Sequence, residues 1–375
     1  MELLEYFVDI VEHRHEYARD WKERTGGKVI GFFCTYVPEE IMYAAGILPV
    51  RILGGMEPQD YSESHILGMY CPFCRDCLAE GLKGRYDYLD GVVQTRSCQH
   101  MLQAFQSWTI HIPLPYSYFM GMPSLVQADR APTFMRAETG DFARSLEAWT
   151  GKTLRDEDLD RAIETYNTNR RLLRKLYELR KADPPIISGT EVAAVVLSSC
   201  ISDKAEHSRK LEELLEALPR RSDPPSSATR IMVVGSENQS LELFRLIEDA
   251  GANIVVDEMC TGSRYFWNEV VPQEDRLSAI AQRYLDRPPC PLKDVLERKR
   301  LEHVLNMARD FNVAGVLFLQ QKFCTPHEFD IPALAELLKE NAIPTYALEL
   351  DVTMHEGSIR TRTEAFLEML QLELV

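Results

Sequence analysis

Cysteine is the residue type with the most chemistry to offer in this sequence. The run CPFCRDC sets Cys71, Cys74 and Cys77 in two CxxC steps, while Cys98 and Cys324 stand far along the chain. A CxxC step suits iron, zinc or dithiol redox chemistry, and spacing alone does not choose among them. Zinc calls for a second nearby pair, which the sequence lacks. Compact ferredoxin spacing is also absent, so an iron–sulfur cluster would have to gather thiolates from separate segments. On one regular helix Cys71, Cys74 and Cys77 drift around the axis, so the three together do not aim at a single group.

Position sharpens this reading. Cys98 follows the apolar run YDYLDGVVQT, and Cys324 follows VAGVLFLQ. Each therefore falls at the carboxyl end of an expected strand, where α/β sheets bind ligands. Cys71 falls at the expected start of a helix, whose N-terminal dipole favours a thiolate. Cys200, in VVLSSC, reads as an inert buried thiol, and Cys290, in RPPCP, as an ordinary loop cysteine. His100 is a candidate proton donor, since an unperturbed imidazole titrates near about 6.5. Arg75, beside Cys74, suits charge neutralisation at a cluster or phosphate, or else a helix-surface ion pair. Glu349 and Asp351 end a strand and either orient a substrate or serve the turn.

The elements that must carry these residues alternate. Lys28–Cys34 and Leu48–Leu53 read as strands separated by a helix that opens at Pro38-Glu39-Glu40 and ends at Gly46. Residues 70–83 read as helix, Tyr88–Thr95 as strand, Gln99–Trp108 as helix and Thr109–Leu114 as strand. From about Glu138 to Leu218 long helical patterns take over, interrupted by Pro184-Pro185 and followed by Pro224-Pro225. TRIMVVGSE, SLELFRLIEDAG, NIVVDE, VAGVLFLQ, PALAELLKENAI and PTYALELD then resume the alternation, and a helix near 361–373 closes the chain. The expected fold is α/β, with two Rossmann-like parallel-sheet domains joined by a helical segment. The expected limits are an N-terminal helix over 1–27, a first α/β domain over 28–136, helices over 137–225 and a second α/β domain over 226–375.

Composition narrows the partners. A net charge of -16 argues against nucleic acid, which needs a basic face. No run approaches the roughly 20 apolar residues that span a bilayer, and the charged first residues do not read as a signal peptide. A cytoplasmic location is expected. In that reducing setting nine cysteines point away from disulfides.

Several stretches, taken in order, resemble the 2-hydroxyacyl-CoA dehydratase and benzoyl-CoA reductase family. They are GFFCTYVPEEIMYAAGILPVRI, CPFCRDCLAEGLKGRYDYLDGVVQTRSCQHM, VVDEMCTGSRYF, FLQQKFCTPHEFDIPALAELLKENAIPTYALELD and GSIRTRTEAFLEML. The resemblance implies two Rossmann-like domains holding a 4Fe–4S cluster between them on three cysteines, which match Cys71, Cys98 and Cys324 here. It also implies an acyl-CoA substrate, a homologous partner subunit, identical or merely similar, and a separate ATP-hydrolysing iron–sulfur activator. The absence of GxxxxGK[ST] from this chain agrees with ATP being used elsewhere. The tail RTRTE, with Arg360 and Arg362, resembles the family's basic tail and is expected near CoA phosphates, with solvated charge as the alternative. Cys74 departs from the pattern, since family members carry alanine or valine there, and Gln99-His100 replaces a more usual acidic ending. Some relatives hold a double-cubane 8Fe–9S cluster, for which Cys34, Cys74 and Cys260 are the candidate extra ligands; otherwise these thiols flank iron without binding it. The overall likeness is nearest the smaller catalytic subunit of ATP-dependent benzoyl-CoA reductase. The implied chemistry is transfer of low-potential single electrons to a CoA thioester. The alternatives are dehydration of an (R)-2-hydroxyacyl-CoA, a double-cubane reductase of small molecules, and a non-catalytic partner of a homologous active subunit.

Overall fold

A computed structural model describes residues 2–57, 61–353 and 355–373. Helices α1 (Glu2–Glu12) and α2 (Arg14–Thr25) precede the strands β1 (Lys28–Phe32) and β2 (Ile47–Arg51), between which lies α3 (Glu39–Ala44). There follow α4 (Pro72–Leu82), β3 (Gly91–Thr95), α5 (Gln99–His111) and β4 (Tyr116–Met120). Four helices intervene: α6 (Ala131–Thr150), α7 (Asp156–Glu178), α8 (Gly189–Ser199) and α9 (Lys204–Ala217). The second half comprises β5 (Thr229–Gly235), α10 (Leu241–Asp249), β6 (Ala252–Glu258), α11 (Ser263–Phe266) and α12 (Arg276–Asp286). It ends with α13 (Lys299–Asp310), β7 (Gly315–Gln321), α14 (Thr325–Glu340), β8 (Thr345–Leu350) and α15 (Glu356–Glu373).

Both sheets are parallel and four-stranded, in the orders β2-β1-β3-β4 and β6-β5-β7-β8. The two orders are the same, as the repeated strand–helix–strand plan implies. In each sheet the chain reverses direction of winding between the first and third strands, and that switch point opens a crevice at the carboxyl ends. Alternation along each strand feeds two cores. Ile30, Phe32 and Val93 face α6 and α12, whereas Val29, Leu48, Val50 and Val92 face α2, α4 and α5. In the second sheet Met232, Val234 and Phe318 meet the helical segment, while Ile231, Val233 and Leu317 meet α10 and α15. This two-sided burial accounts for the nearly unbroken apolar runs.

Two expected elements need correction. The N-terminal segment is two helices, because His13 leaves helical geometry at φ -108, ψ 36. α1 buries Leu4 and Phe7 against the helical segment, and α2 buries Ala18 and Trp21 on the first sheet, so a straight helix would not serve both. The strand expected over Thr109–Leu114 does not form: α5 continues to His111 and β4 starts at Tyr116. Pro113 and Pro115 have no N–H for a ladder and push the strand past them.

Buried polar groups lock the halves together. Arg51 in β2 donates to Glu237 Oε1 at 2.7 Å, and the Gln239 side chain bridges Gly54 N–H (2.6 Å) and Asp76 (2.8 Å). Glu40 accepts from Tyr284 at 2.9 Å and pairs with Arg170, while Tyr265 donates to Glu39 at 2.9 Å. Among the described residues no helix is long and apolar enough to cross a membrane.

Candidate metal centre

Three helices point their N-termini into the crevice, and a cysteine caps each one. Cys71 is the N-cap of α4, Cys98 of α5 and Cys324 of α14. The Cys98 sulfur accepts the Met101 N–H at 3.4 Å. Each cap places a sulfur where unpaired N–H groups and the helix dipole favour negative charge. Cys324 reaches its place because Phe323 before it takes φ 60, a left-handed conformation costly for a bulky aromatic.

The sulfurs meet. Cys71, Cys74 and Cys324 share one buried cluster against which Cys98 packs, so that Cys71 feels Cys324 and Cys74, and Cys74 feels Cys98. Contact with Cys324 and then Cys74, together with the Cys74 and Phe73 N–H groups, holds Cys71 well below the usual thiol range despite burial. Contact with Cys74 and the Met101 N–H lowers Cys98 likewise. Cys74 and Cys324 are raised, first by these same contacts, in which they are the donors, and then by burial. Cys77, one turn further along α4, turns away and donates to Ile52 O at 3.6 Å. Cys200 is fully buried, and burial pushes its thiol up to about 12, in keeping with an inert role.

A second group of thiols borders the first. Cys34 follows β1, Cys260 follows β6, and Cys290 lies in the loop after α12. Cys260 is raised by burial, and the fields of Arg264, Glu237, Cys290 and Cys34 act on it. The Cys290 N–H donates to the Tyr36 hydroxyl at 3.1 Å, which draws the loop against the first sheet. Cys290 is therefore not an isolated loop residue. Lys293, three residues on, donates to Arg96 O (2.7 Å) and Pro123 O (2.9 Å), and burial lowers it to about 8.

The surroundings are polar and incompletely satisfied. Gln94 Oε1 and Thr95 Oγ1 at the end of β3, Ser236 Oγ and Glu237 Oε2 beyond β5, Gln320 Oε1 in β7 and Arg264 Nη1 are buried without partners. Buried polar atoms are nearly always paired, so six near the strand ends mark a place built around a polar group. Among the described residues no three His, Cys, Asp or Glu side chains close on one point as a single ion requires. The thiols run instead in a line of contacts. Sulfur donors of this kind, distributed over both sheets, fit a polynuclear iron–sulfur group better than lone zinc.

The remaining candidates divide. His100 Nδ1 accepts the Cys71 N–H at 3.1 Å, so the ring proton sits on Nε2, and its face lies 4.7 Å from Tyr70. Arg75 is buried, donates to Tyr70 O at 3.1 Å and meets Asp351 at 3.5 Å across the crevice; it is not a free surface cation. Arg362 lines a cavity of about 300 Å³ with Lys322, Asp351, His355 and Ser358 at the start of α15. Arg360 is exposed on the same helix and does not line it. Position at strand ends and helix starts identified three of the four touching cysteines. Cys74 was visible as a motif member and Cys290 only as a loop residue, because the loop contact that carries it inward is tertiary.

Comparison with known proteins finds relatives along most of the chain. The family described as 2-hydroxyglutaryl-CoA dehydratase, D-component, matches residues 34–370. The chain is 27% identical over 365 residues to the (R)-phenyllactyl-CoA dehydratase beta subunit of Clostridium sporogenes, covering 97% of each chain. It is 28% identical over 334 residues to a benzoyl-CoA reductase subunit of Thauera aromatica, covering 87% of this chain and 86% of that one. It is 26% identical over 353 residues to the (R)-2-hydroxyglutaryl-CoA dehydratase beta subunit of Acidaminococcus fermentans, covering 92% and 93%. Matched over nearly its whole length, the chain belongs to the 2-hydroxyglutaryl-CoA dehydratase D-component family.

Proposed function

We propose that this chain is the iron–sulfur subunit of an ATP-dependent acyl-CoA reductase of the benzoyl-CoA type, with a 4Fe–4S cluster on Cys71, Cys98 and Cys324. The observation that carries the reading is the meeting of these thiols, from segments far apart in sequence and from both sheets, at three helix N-termini. A cluster bound there supplies single electrons at low potential. A CoA thioester suits such chemistry because its carbonyl spreads an added electron over the acyl group.

The chain's own side chains have distinct tasks in this scheme. The N-terminal N–H groups of α4, α5 and α14 offset thiolate charge. His100 presents Nε2–H as a hydrogen-bond donor while its Nδ1 fixes the Cys71 backbone. Arg362 and Lys322, beside the first turn of α15, suit a CoA phosphate. A homologous subunit and a separate ATP-hydrolysing activator complete the assembly, and the names of the relatives, which are all subunits, support a partner. The expected setting is the cytoplasm, free of oxygen.

The reductase preference rests on the stretch VQTRSCQHMLQAFQSW. The alternative outcome of the same first electron is dehydration of an (R)-2-hydroxyacyl-CoA, with the electron returned after water leaves. Anaerobic assay with reductant, ATP and the activator separates them: ring or double-bond reduction supports the first, and net loss of water refutes it. A double-cubane reductase is the second reading, favoured by the neighbouring Cys34, Cys260 and Cys290. Metal analysis distinguishes the two, at about four irons per chain against about eight. Cys71→Ser, Cys98→Ser and Cys324→Ser should each strip iron or alter its spectrum while Cys200→Ser changes neither; wild-type iron with a wild-type spectrum in any of the three removes that residue from the ligand set.

A further inference from the structure

The proposed cluster has three cysteine ligands and so one iron open to substrate, yet a fourth thiol stands within the same group. Cys74 occupies the third position of α4, one turn beyond the capping Cys71, so both sulfurs fall on one side of the helix start. It is 2% exposed and packs in one buried cluster with Cys71 and Cys324, against which Cys98 lies. No other cysteine among the described residues joins these contacts: Cys77 is spent on the Ile52 carbonyl, and Cys200 is buried apart. Cys74 thus lies among the three helix-capping sulfurs and adds a fourth thiol to their group.

We infer that Cys74 completes a four-thiolate set with Cys71, Cys98 and Cys324. This rests on the function proposed above and alters the part this chain plays in it. A cluster saturated with thiolate has no iron for a thioester or hydroxyl oxygen. It carries electrons through the crevice, and a CoA ester held beside it is contacted by side chains and not by iron. Each added thiolate also contributes negative charge, which lowers the reduction potential and suits a low-potential relay. Three helix N-termini converge to hold that charge.

The test uses anaerobically purified wild type, Cys74→Ala and Cys74→Ser, with Cys71→Ser as a control on the underlying reading. Iron and sulfide are counted, and the EPR spectrum of the dithionite-reduced protein is recorded with and without cyanide and with and without benzoyl-CoA. The expected wild type holds about four irons and its signal is unmoved by either probe. Cys74→Ala should keep a cluster on three thiolates that now shifts with cyanide and readily releases one iron in four on mild oxidation. Cys74→Ser, which retains an oxygen donor, should give an altered signal at full iron content. Complete iron loss from Cys74→Ala with unchanged circular dichroism also supports ligation. A wild-type signal that shifts with cyanide, or Cys74 variants identical to wild type in iron, signal and cyanide response, overturns the inference. Absence of iron from the wild type, or a wild-type iron content and an unaltered signal in Cys71→Ser, sinks the iron–sulfur reading itself.

Discussion

His207 offers a quantitative check on how the helical segment is held. Its ring is fully buried between α7, α8 and α9 and lies 5.2 Å from Phe7. Nε2 donates to Val195 O at 2.9 Å, and Nδ1 accepts from Asn169 Nδ2 at 2.9 Å. Both nitrogens are thus committed in the neutral form. Burial, reinforced by Lys204, lowers the imidazole to about 3 from 6.5. A base whose folded pKa lies below its unfolded value binds its proton more readily when unfolded. Its stabilising effect is complete above about pH 6.5 and is lost as pH falls toward about 3. From pH 7 to pH 4.5 this one group should remove about 2.5 kcal/mol, at about 1.4 kcal/mol per pH unit once below 6.5. Urea titrations at pH 7 and 4.5, at fixed ionic strength, compare wild type with His207→Gln, which can still donate to Val195 O but does not titrate. Carboxylates and His15, which burial also lowers to about 3, cancel in the difference. The wild type should lose about 2.5 kcal/mol more than the variant over that interval. Equal losses would refute the neutral buried assignment.

Other perturbations reach the site and its frame. Arg170→Ala leaves Glu40 buried without its guanidinium and should cost about 3–5 kcal/mol by urea unfolding at pH 7; a cost near zero would show that the pair is dispensable. Arg362→Glu should raise KM for the CoA ester about tenfold with kcat held, as for loss of one charge-assisted phosphate contact, whereas Arg360→Glu should change little. Equal effects of the two would place the phosphate elsewhere. Gly235→Ala drives a methyl into the Leu319 carbonyl, forcing β5 from β7 one residue before Ser236 and Glu237. It should cost about 1–3 kcal/mol and reduce iron retention more than Gly357→Ala, a control at an exposed position with open space around it.

How far these features were legible differs with the physics behind each. Buried parallel strands announce themselves because both faces must be apolar, and VAGVLFLQ and TRIMVVGSE leave little choice. Cys98 and Cys324 were equally readable, since a strand end followed by a helix start is a local pattern, and Cys71 by the helix start alone. The strand expected at Thr109–Leu114 failed because helix propensity and the two prolines outweighed a short apolar run. The break at His13 was invisible because it depends on which of two surfaces α1 and α2 cover. The approach of Cys290 to Cys34 and Cys260 depends on a loop docked through Tyr36, Arg287 and Lys293. Such docking leaves no periodic trace in the sequence.

α12 has a consequence for how the molecule comes apart. It lies beyond β6 in the chain, yet Ala279, Ile280, Tyr284 and Leu285 fill the core of the first sheet beside Ile30 and Phe32. A cut near Pro224-Pro225 would therefore strip the amino-terminal piece of one wall of its interior and bare the matching side of α12. The two fragments should stay associated after nicking and aggregate when expressed singly, so this architecture resists being split into freely exchangeable modules.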